Sequence, residues 1–218
     1  MFQKEKIYIA GPECFYTGGY DMLAAMRAES IAKGFGVTLP NDHPLDMENP
    51  DLRKRADSIF ADLKAIMLDT TVVIADLEAY RGSEPDSGTI YELGMAYAKG
   101  ARCYGYTRDK RPLVWKDQKY TLKEGKVYDE HGKEAPYKDL PFSPCIIAST
   151  KIAEGDYGDC LKMLMTDIEE EKKYKGLRGY SVDYTAAKTY KSDRPVVYLA
   201  GPERYDKDAK EIYKKRKE

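Results

Sequence analysis

An excess of charge of one sign is missing from this chain. Its 36 Lys and Arg stand against 37 Asp and Glu in 218 residues, a formal net charge of −1. No overall basic field exists to gather nucleic acid or an anionic membrane surface. Long hydrophobic runs are missing too: the apolar stretch Ile7 to Ala10, after Met-Phe-Gln-Lys-Glu-Lys, is far shorter than a signal-peptide core or a spanning helix. The expectation is a chain neither exported nor anchored, at work in the cytoplasm. Cysteine is sparse, with Cys14, Cys103, Cys145 and Cys160 scattered and no Cys-x-x-Cys pair, which points to reduced thiols rather than disulfide staples. His43 and His131 have no His or Cys at ligand spacing and sit in polar loop sequence, so surface histidines are expected and no metal site. The partner expected is a small molecule.

What is present is enough apolar sequence, 42% of the chain beside 33% charged residues, to bury a substantial core in one domain plus an extension. Ile7 to Ala10 reads as a strand ended by Gly11-Pro12, and Tyr20 to Lys33 carries Met22, Leu23, Met26 and Ile31 at helical spacing. Val37 to Pro40 is a second short strand. Asp51 to Leu68 places Leu52, Ala56, Ile59, Phe60, Leu63 and Met67 on one helical face. Val72 to Leu77 is nearly continuous apolar sequence, as a parallel strand covered on both faces requires. A helix over about 87–99 and a strand over 103–107 follow. This alternation predicts a doubly wound α/β parallel sheet of about five strands with helices on both faces, and ligands beyond the carboxyl ends of the strands.

Residues 108–143 break the rhythm, with a hairpin or ordered flap predicted over 119–128 around Glu124-Gly125. Trp115 in this stretch is open to a covering or a packing role. Pro144 to Ser149 reads as the fifth strand. A closing helix over 157–172 turns Leu161, Leu164, Met165 and Ile168 inward. Val197 to Glu203 (VYLAGPE) then nearly repeats Ile7 to Glu13 (IYIAGPE). The organisation expected is a catalytic domain over 1–172, a linker over 173–194, and a partial repeat of the opening strand-loop-helix over 195–218. Its last helix is charged nearly all round and is not expected to be catalytic.

Two loops sit where a doubly wound sheet places its site. Ala10 to Tyr16 offers Gly11 for close backbone approach, Pro12 beside it as a binding residue, and Phe15 and Tyr16 as aromatic faces for stacking on a base, or else is an ordinary turn with core aromatics. Tyr80 to Thr89 carries Arg81, Gly82, Asp86, Ser87 and Gly88 and leads into Ile90-Tyr91-Glu92-Leu93-Gly94. Glu92, one turn into its helix, can face the cleft with the positive helix end keeping it ionised. Thr89-x-x-Glu92 is equally a capping box. Asp86 can cap the helix or stand as a second carboxylate beside Glu92, so that one attacks an anomeric carbon while the other handles protons on the leaving group. Gly94, Ala96 and Ala98 suit close packing on the sheet.

Taken together and in order, IYIAGPECFY, VVIADLEAYRG and EPDSGTIYELGMAYAKG resemble the nucleoside 2-deoxyribosyltransferase family, well over residues 7–107 and weakly beyond. The resemblance implies a flavodoxin-like fold, with Glu92 as nucleophile, Tyr8 orienting its carboxylate, and Asp86 contacting the sugar or assisting the base. It implies double displacement between a 2′-deoxynucleoside and a free nucleobase, with no metal or organic cofactor, in a homo-oligomer. Family members often carry an aspartate just ahead of the third strand, where this chain has Thr71, leaving base recognition to Asp76. Many also carry a Pro-x-Asn-Leu segment that reaches a neighbour's sugar 5′-hydroxyl, where Pro141-Phe142-Ser143-Pro144 offers Ser143. Two other readings stand beside this one. A 5′-monophosphate N-glycosidase would use the Gly18-Gly19 turn, Arg81 and Ser87 as a phosphate pocket. A nucleotide-sensing module would use Glu92 only as a cap.

Overall fold

A computed structural model describes residues 2, 4–40, 42–43, 45–116, 119–135, 137–173, 200–201 and 208–215. The elements run β1 (Lys6–Ala10), a 3-10 turn (Pro12–Phe15), α1 (Gly19–Ala32), β2 (Gly36–Thr38), α2 (Leu52–Asp69), β3 (Val72–Asp76), α3 (Ser87–Ala98), β4 (Arg102–Thr107), a second 3-10 turn (Leu113–Trp115), β5 (Thr121–Lys123), β6 (Lys126–Tyr128), α4 (Pro144–Ser149), β7 (Lys151–Glu154), α5 (Tyr157–Lys173) and α6 (Ala209–Lys215). The chain divides into two compact units, Met1–Lys110 with Pro141–Val182, and Arg111–Leu140 with Asp183–Glu218.

The first unit is a doubly wound α/β layer. Its five strands lie in the order β2-β1-β3-β4-β7, every pair parallel, with the direction of winding reversing between β1 and β3. Alternate residues feed two cores. Ile7, Ile9, Val72, Ile74, Tyr104 and Tyr106 pack with Leu23 of α1 and with Cys160, Leu161, Leu164 and Ile168 of α5. On the other face Tyr8, Ala10, Val73, Ala75 and Cys103 pack with Ile66 and Met67 of α2, Leu93 and Ala96 of α3 and Ile146 of α4. β3 is buried at all five positions, which is why its sequence is continuously apolar.

Three packing expectations are corrected. Pro144–Ser149 is helix, not the fifth strand: Ser143 precedes a proline at the first helical position and only Ile146 is buried, since proline's fixed φ suits that position. The fifth strand is Lys151–Glu154, an edge strand with Ala153 as its one buried residue, too short and polar to stand out. The apolar face of α2 buries Met67 and half-buries Leu63, but leaves Leu52, Ile59 and Phe60 exposed. Likewise Gly94 and Ala98 of α3 face outward while Leu93 and Ala96 pack; residues two apart cannot share one helical face.

In the second unit β5 and β6 pair antiparallel across Glu124 (φ 50) and Gly125 (φ 78), the paired positive φ of a tight hairpin turn, with an added bridge from Tyr128 to Glu134. Trp115 lies on the 3-10 turn and is exposed. Residues 174–194 of the proposed linker and 197–199 of the repeated stretch lie outside the described residues, whereas α6 falls within the proposed partial repeat.

Candidate active site

β1 and β3 end side by side at Ala10 and Ala75, so the loops that follow them diverge at the point where the winding reverses. Tyr8, directed to the α2/α3 face, donates from its hydroxyl to Glu92 Oε1 at 2.8 Å. Glu92 therefore turns toward the strands rather than back along its own helix, and the capping-box alternative fails. The cap is Asp86, whose Oδ2 accepts from the Thr89 amide at 2.9 Å and the Thr89 hydroxyl at 3.2 Å. The helix end does not hold Glu92 in the ordinary carboxylate range: burial pushes it up to about 7, with the charge of Asp86 adding to the rise and the Tyr8 hydrogen bond opposing it. Burial and the adjacent Glu92 also push the Tyr8 hydroxyl far up, so it remains a donor.

A second group of acids stands at the same strand ends. Glu13, fully buried, accepts a hydrogen bond from the Tyr106 hydroxyl at 2.9 Å through Oε1. Its Oε2 has no hydrogen-bond partner among the described residues. Asp76 is buried at the end of β3 and accepts from the Glu78 amide at 2.8 Å. Burial raises both carboxyls; the interaction between them lowers Glu13 and raises Asp76, which is pushed up to about 7. Gly11 has extended backbone at φ 175, which any residue adopts. Its lack of a side chain matters for space: a Cβ there would overlap Glu13 Oε2 and lie 3.1 Å from Asp76 Cβ. The room at Gly11 is taken by Glu13, not left open. Gly19 likewise leaves space for the Glu13 carbonyl oxygen.

Cys14 and Tyr16 adjoin both groups. Burial, then Glu92, Glu13 and Asp86, push the Cys14 thiol up to about 11, so it is protonated and weakly nucleophilic. Tyr16 feels Asp76, Glu13 and Asp86. Above them lies an aromatic rim. Phe15, 64% exposed, stacks on Tyr80 with centroids 6.1 Å apart, Tyr16 tilts against Tyr80 at 6.0 Å, and the Arg81 guanidinium lies 4.8 Å over the Tyr80 ring. Arg81 holds a left-handed φ of 52 ahead of Gly82 at φ 141, a conformation that costs a non-glycine residue about 1–3 kcal/mol.

Glu92, Tyr8, Asp86, Asp76, Gly11, Pro12 and Phe15 are thus all on β1, β3, α3 or their carboxyl-end loops. Ser87 and Gly88 form the exposed first turn of α3. Ser143 caps α4 without a side-chain hydrogen bond. Thr71 is at the opposite, amino end of β3, accepting from the Lys6 amide and donating to Glu5, and has no part in the site. His43 is exposed but paired with Asp62 of α2, whose charge reaches Tyr8. Glu13, Tyr106 and Tyr80 are candidate-site residues that sequence reasoning missed. The AGPE motif does place a charged residue in a turn directly after a buried strand, which was the available signal for Glu13.

A model of nucleoside 2-deoxyribosyltransferases matches residues 7–158. The chain belongs to the nucleoside 2-deoxyribosyltransferase family. Among solved structures it resembles a 2-desoxiribosyltransferase from Leishmania mexicana, 24% identical with a TM-score of 0.55, over 74% of this chain and 97% of that one. It also resembles a conserved protein from Enterococcus faecalis V583, 21% identical with a TM-score of 0.46, over 75% and 98% of the two chains. No curated protein matches the sequence. The matched span includes every strand of the parallel sheet and both acidic groups, and enzymes of this family act on nucleosides and nucleobases.

Proposed function

We propose that this protein transfers 2-deoxyribose between nucleobases through a covalent ester on Glu92. The observation that carries this reading is a carboxyl, half-buried where the winding reverses and held by the Tyr8 hydroxyl at 2.8 Å. A Glu92 carboxylate oxygen bonds to C1′ of a 2′-deoxynucleoside as the C1′–N bond breaks. The electron pair goes to the base, which takes a proton from Asp76. A second base then loses its proton to Asp76 and attacks C1′ from the opposite side, releasing Glu92 as a carboxylate. Tyr8 orients the nucleophile. Asp86 sets the start of α3 and lines the sugar side, where its charge stabilises an oxocarbenium-like centre. Phe15 stacks on the base, and Gly11, Pro12, Arg81, Gly82, Ser87 and Gly88 line the cleft.

The working unit in this reading is a homo-oligomer in the cytoplasm, with Ser143 reaching the sugar 5′-hydroxyl across an interface. Exposed Leu52, Ile59 and Phe60 on α2 beside Tyr91 on α3 support the first point, and four free thiols accord with a reducing compartment. No helix among the described residues is long and apolar enough to cross a membrane. Incubation with thymidine and adenine tests the reaction. Deoxyadenosine and thymine should appear with the unmutated protein and not with Glu92→Ala. Free deoxyribose without exchange would favour hydrolysis, and exchange by Glu92→Ala would remove the nucleophile assignment.

A further inference from the structure

Glu13 is a buried acid that takes no part in the proposed displacement at Glu92. It has no exposure at all, against 7% for Asp76, so of the two Asp76 lies nearer the surface. Glu13 lies on the turn after β1 and Asp76 at the end of the neighbouring β3, on the α1/α5 side of the sheet. Glu13 Oε2 and the Asp76 side chain flank the space that the missing Gly11 side chain leaves, the two carboxyls act on each other's titration, and Oε2 has no hydrogen-bond donor among the described residues. An ionised acceptor buried without a donor is costly, and two carboxylates in contact cannot both be ionised cheaply. One proton between them resolves both costs.

The geometry points to Glu13 as a positioning residue that shares one proton with Asp76 and holds it ready for the departing base. This rests on the transferase reading above and deepens it. The Tyr106 hydroxyl, donating to Glu13 Oε1 at 2.9 Å, favours Glu13 as the anion against the Glu78 amide that favours Asp76, and leaves the proton on Asp76, the less buried of the two. When Asp76 gives that proton to a base nitrogen or carbonyl oxygen, the electron pair of the broken C1′–N bond stays on the base and two carboxylates are left facing each other. Their repulsion favours recapture of a proton from the incoming base, which restores the starting state. Such a pair suits a reaction whose second half reverses the first. The titratable groups facing it are Tyr106 from β4, Glu78 after β3, and Cys14 and Tyr16 from the Glu13 turn, with Cys160 of α5 and Tyr157 behind Tyr106. None of these described groups is a cation, and the nearby Arg108 is paired with Glu78, so none of them substitutes for the proton.

Glu13→Gln tests this, since it keeps the shape and removes the shared proton and the charge. Asp76 should then titrate lower, and the alkaline limb of base exchange should move down by about one pH unit or more. The loss of rate should be largest above neutrality and smallest on the acid side. Tyr106→Phe should move the limb the same way, because the proton then settles on Glu13. A Glu13→Gln rate reduced by one factor at every pH, or a profile that does not move, would overturn the proposal. Carbon-13 NMR titration of aspartate-labelled protein, with Asp76→Asn to assign the signal, reads the pair without any turnover. If the unmutated protein exchanges no base, the transferase reading fails on its own. A lower Asp76 titration in Glu13→Gln would still uphold the shared proton, and an unchanged one would refute it.

Discussion

The Tyr8 hydroxyl and Glu92 Oε1 lie 2.8 Å apart although 84 residues separate them in sequence, so the parallel sheet itself delivers the donor to the proposed nucleophile. That donor opposes the rise of the Glu92 carboxyl caused by burial and by Asp86. Tyr8→Phe removes the opposition, and Glu92 then titrates above about 7. Hydrogen bonds to charged groups contribute about 1.5–3 kcal/mol, so exchange should fall on the order of 10- to 100-fold. The deficit should be greater at pH 6 than at pH 9, where Glu92 is ionised regardless. A pH–rate profile in which Tyr8→Phe loses nothing on the acid side would disprove the orienting role.

Glu92 should also be a source of instability. Its folded value of about 7 lies above the ordinary 4.5, so the folded state binds this proton more tightly than the unfolded state. The stability tied to that proton is complete below about pH 4.5 and is lost as pH rises through 7, a change on the order of 3 kcal/mol. Glu92→Gln, neutral throughout, should therefore melt several degrees above the parent at pH 8 while the two converge near pH 4. Thermal unfolding at both pH values measures this. A variant no more stable than the parent at pH 8 would mean that the carboxylate is not under strain.

Asp86 carries two separable duties. As N-cap of α3 it accepts from the Thr89 amide at 2.9 Å, and as a charge it raises Glu92. Asp86→Asn keeps a cap oxygen and removes the charge, so its Tm should stay close to the parent's while the acid limb of exchange moves to lower pH, opposite to Tyr8→Phe. Asp86→Ala loses the cap as well and should cost about 1 kcal/mol of stability. Equal destabilisation by both variants would contradict the separation.

The strands with the strongest sequence signal were those buried on both faces. β3 is legible because all five of its residues are enclosed, and α5 because its apolar spacing matches one buried stripe. β7 was not, since an edge strand with one buried residue leaves no pattern, and the isoleucines after Ser143-Pro144 read as a strand until the proline's place in a first helical turn is seen. The approach of Tyr8 to Glu92 and the capping of α3 by Asp86 were legible through motifs. Glu13 was not, because its meaning depends on Tyr106, which lies 93 residues away and reaches it only once the sheet has formed.

The unexpected exposure on α2 yields the remaining prediction. Phe60 is 41% exposed and meets Tyr91, itself 56% exposed, with ring centroids 6.3 Å apart. Ile59 and Leu52 extend the apolar face along the helix. These residues have the helical spacing of a core-facing stripe yet stay exposed among the described residues, which is the composition of an interface centre. If two copies associate through this face, Phe60→Glu places a charge in a desolvated contact and should shift the protein toward monomer, with little change in the melting of the monomer itself. Analytical ultracentrifugation of the parent and of Phe60→Glu over a range of concentrations reads the outcome directly. An oligomer that withstands the substitution would place the interface elsewhere, and a parent that is monomeric throughout would remove the homo-oligomer from the proposed mechanism, together with the role of Ser143 across an interface.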